Sequence, residues 1–207
     1  MESRSSQGRA TQNGEDEKNN KEKRNYGRAF IDEKLFKSRT LTIFGEVNEK
    51  LARNVTEHLL ALAAESDDPI TMYVSSPGGH VESGDVIYDM IKFIKPEVRA
   101  IGTGWVASAA TTIFLAVKKE HRFALPNTRF LIHQPLGGSR GVATDIQIQA
   151  EQIVRMRERI NRLIADETGQ PLERVAQDTD RDYWMTVEEA IDYGIVNKTV
   201  RSIDEVS

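Results

Sequence analysis

Glu97-Val-Arg-Ala-Ile-Gly-Thr-Gly-Trp-Val-Ala-Ser-Ala-Ala-Thr-Thr-Ile-Phe-Leu-Ala-Val117 contains a strand, a small-residue turn and a helix in immediate succession. Residues 97–104 read as a strand ending in glycines, and residues 108–117 read as a short apolar helix. Ser108 is then expected in the helix's first turn, where free N–H groups and the helix dipole favour developing negative charge. A serine hydroxyl needs an adjacent base to attack near neutral pH, and imidazole is the usual one. His133 follows 25 residues later, at the end of another apolar run. Locally, a serine merely packed in a tight turn fits the same residues.

Outward from this stretch, strand and helix signals alternate. Residues 41–44 alternate like a strand and end at Gly45, and Asn48 is a natural N-cap for a helix with Leu51, Val55, Leu59 and Leu62 on one stripe. Residues 70–74 form a strand that runs into Ser75-Ser-Pro-Gly-Gly79. A helix through Val86, Met90 and Phe93 must stop before Pro96. Two further strands fall at 122–125 and 129–132. Beyond Gly137–Gly141 a helix from Asp145 to Thr168 carries Ile146, Ile153, Met156, Ile160 and Leu163, with Gly169 as its natural stop. Thr186 and Glu189 have the spacing of a capping box for a last helix. Strands separated by helices indicate an α/β fold with largely parallel pairing. The long helix also has Ile148 and Val154 off its main stripe. One core does not cover all of that surface, so an oligomer is expected.

Bulk properties narrow the function classes. A chain of 207 residues suits one sizeable core. Residues 1–26 are charged and polar, and are expected to be a disordered tail or leader ahead of a single domain over 27–207. The net charge of −4 argues against a nucleic-acid partner. Without cysteine, disulfides and cysteine catalysis are excluded. No apolar run reaches the roughly 20 residues of a membrane span, and no secretory h-region precedes the domain, so a cytoplasmic protein is expected.

Several constellations carry possible chemistry. Gly78 and Gly79 offer bare backbone that a ligand could approach, with N–H groups available to an oxyanion; an ordinary glycine turn is the plainer reading. A GxxxxGK[ST] phosphate loop is absent. His58 lies on an amphipathic helix, His121 in a charged surface run, and His80 beside the glycines; their spacing suggests no metal site. Asp178, Asp180, Asp182 and Glu189 sit at calcium-loop spacing, yet Tyr183 stands where such a loop needs glycine. A carboxylate that orients a histidine is the better use of this run, although the residues alone do not say which one. The serine lacks the flanking glycines of a lipase elbow, having Val106 and Ala110 instead.

Taken together, Ser75-Ser-Pro-Gly-Gly79, Gly104-Trp-Val-Ala-Ser-Ala-Ala110, Leu131-Ile-His-Gln-Pro-Leu-Gly-Gly138 and Thr179-Asp-Arg-Asp182 resemble the ClpP family, the proteolytic subunits of the ATP-dependent Clp protease. The similarity spans roughly residues 30 to 203. It implies a spiral of ββα units, as in crotonases, with a protruding handle helix at 145–168. It implies a serine endopeptidase with Ser108 as nucleophile, His133 as base, Asp182 as orienting carboxylate, and Gly79 and Ala109 as oxyanion donors. It further implies two stacked seven-membered rings touching through Asp180 and Arg181. An AAA+ unfoldase would feed the chamber with unfolded polypeptide, docking near Tyr73 and Phe93, and no cofactor or metal is implied.

The chain departs from the family pattern at Ala109, where methionine is usual, at Thr71 on the docking surface, and in its charged N-terminal segment. Two other readings stay open on sequence: a non-catalytic ring subunit of a mixed complex, and a crotonase-like acyl-CoA enzyme. The first keeps the scaffold without needing the serine. The second shares a backbone oxyanion hole but needs no Ser/His pair.

Overall fold

The computed structural model describes residues 27–138 and 140–206. Its chain divides at Arg39/Thr40 into two compact units. In the first, residues 27–37 form helix α1. It carries i,i+4 ion pairs between Arg28 and Asp32 (2.9 Å) and between Lys37 and Glu33 (2.5 Å). The expected tail over residues 1–26 lies outside the described residues.

The second unit is built on one sheet. Strands β1 (Thr40–Phe44), β2 (Ile70–Ser76), β3 (Val98–Ala107) and β4 (Arg122–Ala124) pair in that order, all parallel, and β7 (Lys198–Thr199) closes the edge. Strand β3 is long enough to serve two neighbours on one side. Residues 100–102 pair with β4, and residues 105–107 pair with β5 (Arg129–Ile132). Strand β6 (Tyr183–Met185) then adds to β5 antiparallel, the one reversed pairing among the described strands. Burial explains the β-branched and aliphatic content of β1 and β2: Leu41, Ile43, Ile70, Met72 and Val74 are all buried.

Helices pack on this frame as their patterns require. Asn48 caps α2 (Glu49–Glu65) by accepting from the Leu51 amide at 3.0 Å, and Ala52, Val55, Leu59 and Leu62 are its buried face. Thr186 caps α7 (Val187–Tyr193) in a complete capping box with Glu189. Helix α3 (Val81–Phe93) is where expected but turned: it buries Ser83, Gly84, Ile87 and Ile91, leaving Val86 exposed and Phe93 80% exposed. The small residues decide this. A Cβ on Gly84 would stand 3.3 Å from Ala109 Cβ, so α3 lies against α4 (Ala109–Leu115) at a distance that a larger residue would crowd. Hydrophobic periodicity does not register such a contact. Helix α6 (Leu172–Asp178) is too short, and its single buried residue Val175 too isolated, to leave a periodic signal.

Helix α5 (Ala143–Thr168) ends at Gly169, whose φ of 78° is the left-handed cap glycine supplies. Only its C-terminal part joins the core, through Ile160, Ile164 and Ala165. Ile146, Ile148 (49% exposed) and Val154 (54%) face solvent in the isolated chain.

That C-terminal part is anchored by charge. Arg122 is 1% exposed and donates to the carbonyls of Val117 (2.6 Å), Leu115 (2.9 Å) and Glu167 (2.9 Å), and to the Glu167 carboxylate at 2.6 Å. Glu167 also accepts from Tyr88 (2.9 Å) and Lys92 (2.7 Å), which ties α5 to α3. Burial pushes the Glu167 carboxyl up, but these hydrogen bonds and cations outweigh it and hold it below its ordinary 4.5. Burial and donation to that carboxylate push the Tyr88 hydroxyl well above its usual range. A depressed carboxyl contributes stability that is complete above its unfolded pKa and lost as pH falls through the folded one. Glu167→Gln is therefore expected to cost about 3 kcal/mol at neutral pH by leaving Arg122 without its counter-charge. The difference from the parent should narrow as pH falls from 6 towards 3, read by urea unfolding; a gap that stays constant across that range contradicts the assignment.

Candidate active site

Parallel strands deliver their carboxyl ends to one edge of the sheet, the usual place for a site in α/β folds. Here β1 ends in Glu46 and Val47, β2 in Pro77–Gly79, β3 in Ser108 and β5 in His133. Asp182 arrives differently. The antiparallel register pairs Phe130 with Met185, Leu131 with Trp184 and Ile132 with Tyr183. One step further along that ladder sets Asp182 beside His133, although 49 residues separate them in sequence.

The three side chains form a continuous line. Ser108 Oγ lies 2.7 Å from His133 Nε2, and His133 Nδ1 lies 3.0 Å from Asp182 Oδ1. An ionised carboxylate only accepts, so Nδ1 carries the proton and Nε2 has a lone pair for the serine hydroxyl. His133 is largely shielded, while Asp182 is 65% exposed in the isolated chain.

Ser108 does not sit within the helix's first turn as expected. It is the N-cap of α4, with φ 57° and ψ −124°. Non-glycine residues rarely hold such a backbone, and the surroundings must enforce it. They do so from both sides: the Ser108 amide donates to the Leu131 carbonyl at 2.9 Å. Thr111 Oγ1 donates to the Val106 and Leu131 carbonyls, at 2.9 Å each. β3 accordingly runs through the expected stopping glycines to Ala107.

The glycine turn is locked onto the same spot. The Val47 amide donates to Gly78 O and the His80 amide to Val47 O, both at 2.8 Å, which pins the turn to the end of β1. A Cβ on Gly78 would lie 2.5 Å from Ala107 O and 2.6 Å from Ser108 Cβ, and one on Gly79 would lie 2.3 Å from Val47 O. Neither position admits a side chain. Ala109, the first residue of α4, has an amide without an intrahelical acceptor by helix geometry. Gly79 lines the same cleft as Ser108, and neither its N–H nor that of Ala109 has a backbone acceptor outside regular helix and strand pairing among the described residues.

Above Ser108 opens a cavity of about 650 Å³. Its apolar side is Pro135, Leu136, Ile153 and Met156, and its polar side includes Glu46, His80 and Glu82. Ile153 and Met156 come from α5, so the stripe expected to face a core instead faces this cleft before entering the core at Ile160. Gly137 allows the approach, since a Cβ there would come within 2.7 Å of Ile153 Cδ1. Residue spacing gave no hint of these lining side chains.

The acidic run separates into three roles. Asp178 accepts from Tyr193 Oη at 2.9 Å, Asp180 pairs with Arg157 of α5 at 3.1 Å, and Asp182 takes His133. Gln134, next to His133, holds the same loop: its backbone amide donates to Thr179 O (2.6 Å) and its side chain to Asp180 O (2.7 Å). Thr179 Oγ1 in turn donates to Asn161 of α5 at 2.8 Å. The loop carrying Asp182 is thus fastened to the long helix. Arg181 is exposed next to this contact. Of the expected docking aromatics, Phe93 projects from the end of α3, while Tyr73 is half-buried against Ile101, Phe123, Val200 and Val206. His58 bonds Asn54 O, and His121 lies near Glu97, both away from Ser108.

The family model described as Clp protease matches residues 22–202. The chain belongs to the Clp protease family. The ATP-dependent Clp protease proteolytic subunit 3 of Rhizobium etli is 61% identical over 168 residues, 81% of this chain and 87% of that protein. Proteolytic subunit 2 of Pseudomonas aeruginosa is 51% identical over 179 residues, 86% of this chain and 89% of the relative. The solved structure of ClpP1 from Listeria monocytogenes superposes with a TM-score of 0.78 at 54% identity, covering 86% of this chain and 99% of that one. The fold is the ClpP-type mixed α/β arrangement of a mostly parallel sheet and helices, and the chain is a ClpP-type protease subunit of the serine peptidase class. Neither a non-catalytic role nor acyl-CoA chemistry is favoured.

Because a Cβ on Gly78 would collide with Ala107 O and Ser108 Cβ and crowd the Ala109 nitrogen at 3.0 Å, Gly78→Ala should displace the serine and the neighbouring amides together. A shift near 1 Å costs on the order of 100-fold in turnover. Peptidase kinetics on the purified variant check this, and kcat within twofold of the parent contradicts it.

Proposed function

We propose that Ser108, His133 and Asp182 are the catalytic residues of a serine endopeptidase that hydrolyses unfolded polypeptides. The continuous hydrogen-bonded line from Ser108 Oγ through His133 to Asp182 carries this reading. His133 Nε2 takes the hydroxyl proton as Oγ bonds to the peptide carbonyl carbon, and the carbonyl electrons move onto oxygen. Asp182 holds the ring's orientation and stabilises the imidazolium. The Gly79 and Ala109 amides donate to the oxyanion, each such donor being worth about 2.7–4 kcal/mol where one has been removed in other enzymes. The tetrahedral adduct collapses by breaking the C–N bond, with His133 returning its proton to the leaving amine. Water then repeats the sequence on the acyl-enzyme and restores Ser108.

Assembly supports this reading. Ile146, Ile148 and Val154 leave an apolar face on α5 that an isolated chain does not cover. The relatives named above are called subunits of an ATP-dependent protease. Two stacked heptameric rings, joined through the handle helix α5 and the neighbouring Asp180 and Arg181, would enclose the clefts and admit only unfolded chains. A separate AAA+ unfoldase would supply those chains, with Phe93 and Tyr73 among its contacts. A paralogous subunit could share the rings, and the cytoplasm is the setting in which such a machine works.

Ser108→Ala should abolish peptide cleavage and fluorophosphonate labelling while native mass spectrometry finds the same oligomer; cleavage at the parent rate removes Ser108 from the chemistry. Separately, Arg181→Ala should release single rings and lower activity through the loss of assembly. An unchanged mass together with full activity places the ring contact elsewhere.

A further inference from the structure

The cleft above Ser108 carries unbalanced negative charge. Its ionisable lining is Glu46, Glu82, His80 and His133, with no lysine or arginine among the described residues that form it. Glu46 lines the cleft beside the glycine turn, where a Cβ on Gly79 would come 3.0 Å from Glu46 Cγ. Several other surface acids have cations beside them. Asp85 meets Arg159 at 2.5 Å, Glu97 meets Lys118 at 2.7 Å and Glu57 meets Arg53 at 2.9 Å. Glu46 has no such partner among the described residues. Glu82 meets only the His80 ring, at 3.1 Å, which adds a full charge only when protonated. Arg53 lines a neighbouring groove together with Glu82 but is paired with Glu57.

A peptide entering this cleft meets apolar side chains, among them Leu136, Ile153 and Met156, and unneutralised carboxylates. We infer that the cleft selects polypeptide segments with a lysine or arginine close to the scissile bond, with Glu46 as the principal specificity-determining residue and Glu82 in support. This rests on Ser108 being the nucleophile, because that fixes which bond the carboxylates flank. An extended chain advances about 3.3 Å per residue, so a side chain within about three positions of the cleaved bond lies within reach. The carboxylates are open to solvent, which keeps the preference modest. About three- to fivefold in kcat/KM is the upper range of exposed ion pairs, and it should shrink as salt shortens the screening length.

The test uses the assembled protein and a set of fluorogenic peptides identical except at one position. That position carries Lys, Gln or Glu and is scanned across three residues on either side of the cleaved bond. At one or more positions the parent should cleave the Lys peptide about three- to fivefold better than its Gln counterpart, and more so than the Glu peptide. The Lys/Gln ratio should approach one in Glu46→Gln, drop partially in Glu82→Gln, and reverse in favour of Glu in Glu46→Lys. A parent ratio of one at every position overturns the inference while leaving the peptidase reading intact. So does a parent ratio that survives Glu46→Gln combined with Glu82→Gln. If the assembled parent cleaves none of the peptides, the Gln series included, then the assignment of Ser108 fails and the inference falls with it.

Discussion

Two strand ends meet where the Ser108 amide donates to the Leu131 carbonyl at 2.9 Å, and the site depends on that contact. It holds Ser108 at a positive φ that its side chain disfavours, with Oγ turned towards the residue two positions beyond Leu131, which is His133. The conformation survives because the restraints come from separate elements: β5 from one side, the Gly78 turn from another, and Thr111 of α4 from beneath. A backbone held against its preference costs on the order of 1–3 kcal/mol. Removing any one restraint would let that strain relax at the reacting atom.

The same economy places Asp182. Reversing the direction of a single strand is enough to bring residue 182 to residue 133, since an antiparallel ladder aligns the start of β6 with the end of β5. From Asp182 the chain of contacts continues outward. Asp180, Thr179 and Gln134 connect the loop to Arg157 and Asn161 on α5, and the Arg122–Glu167 pair anchors the far end of that helix in the core. Whatever surface α5 rests on in an assembly is therefore joined by hydrogen bonds to the loop that carries Asp182.

Much of the fold was legible because its signals were local. Asn48, Thr186 and Gly169 mark helix ends by capping chemistry that acts within one turn, and the apolar stripe of α2 faces the core as its spacing required. The buried face of α3 is not legible in the same way, because Ser83 and Gly84 are buried for their small size, which hydrophobicity does not record. Strand β6 spans three residues, too few to show a period, so the residues alone left the choice among the acids open. Only the resemblance to a known family selected Asp182. The lining of the cleft by Ile153, Met156 and Leu136 was equally hidden, because it depends on how closely Gly137 lets the loop approach α5.

The most direct measurement is a crystal structure of the assembled protein after reaction with a peptidyl phosphonate. The expected density is continuous from Ser108 Oγ to phosphorus, with the phosphoryl oxygen in hydrogen-bonding range of the Gly79 and Ala109 amides and His133 still bridging to Asp182. Phosphorus bonded to another residue, or an oxygen turned away from both amides, would contradict hydrolysis at this site.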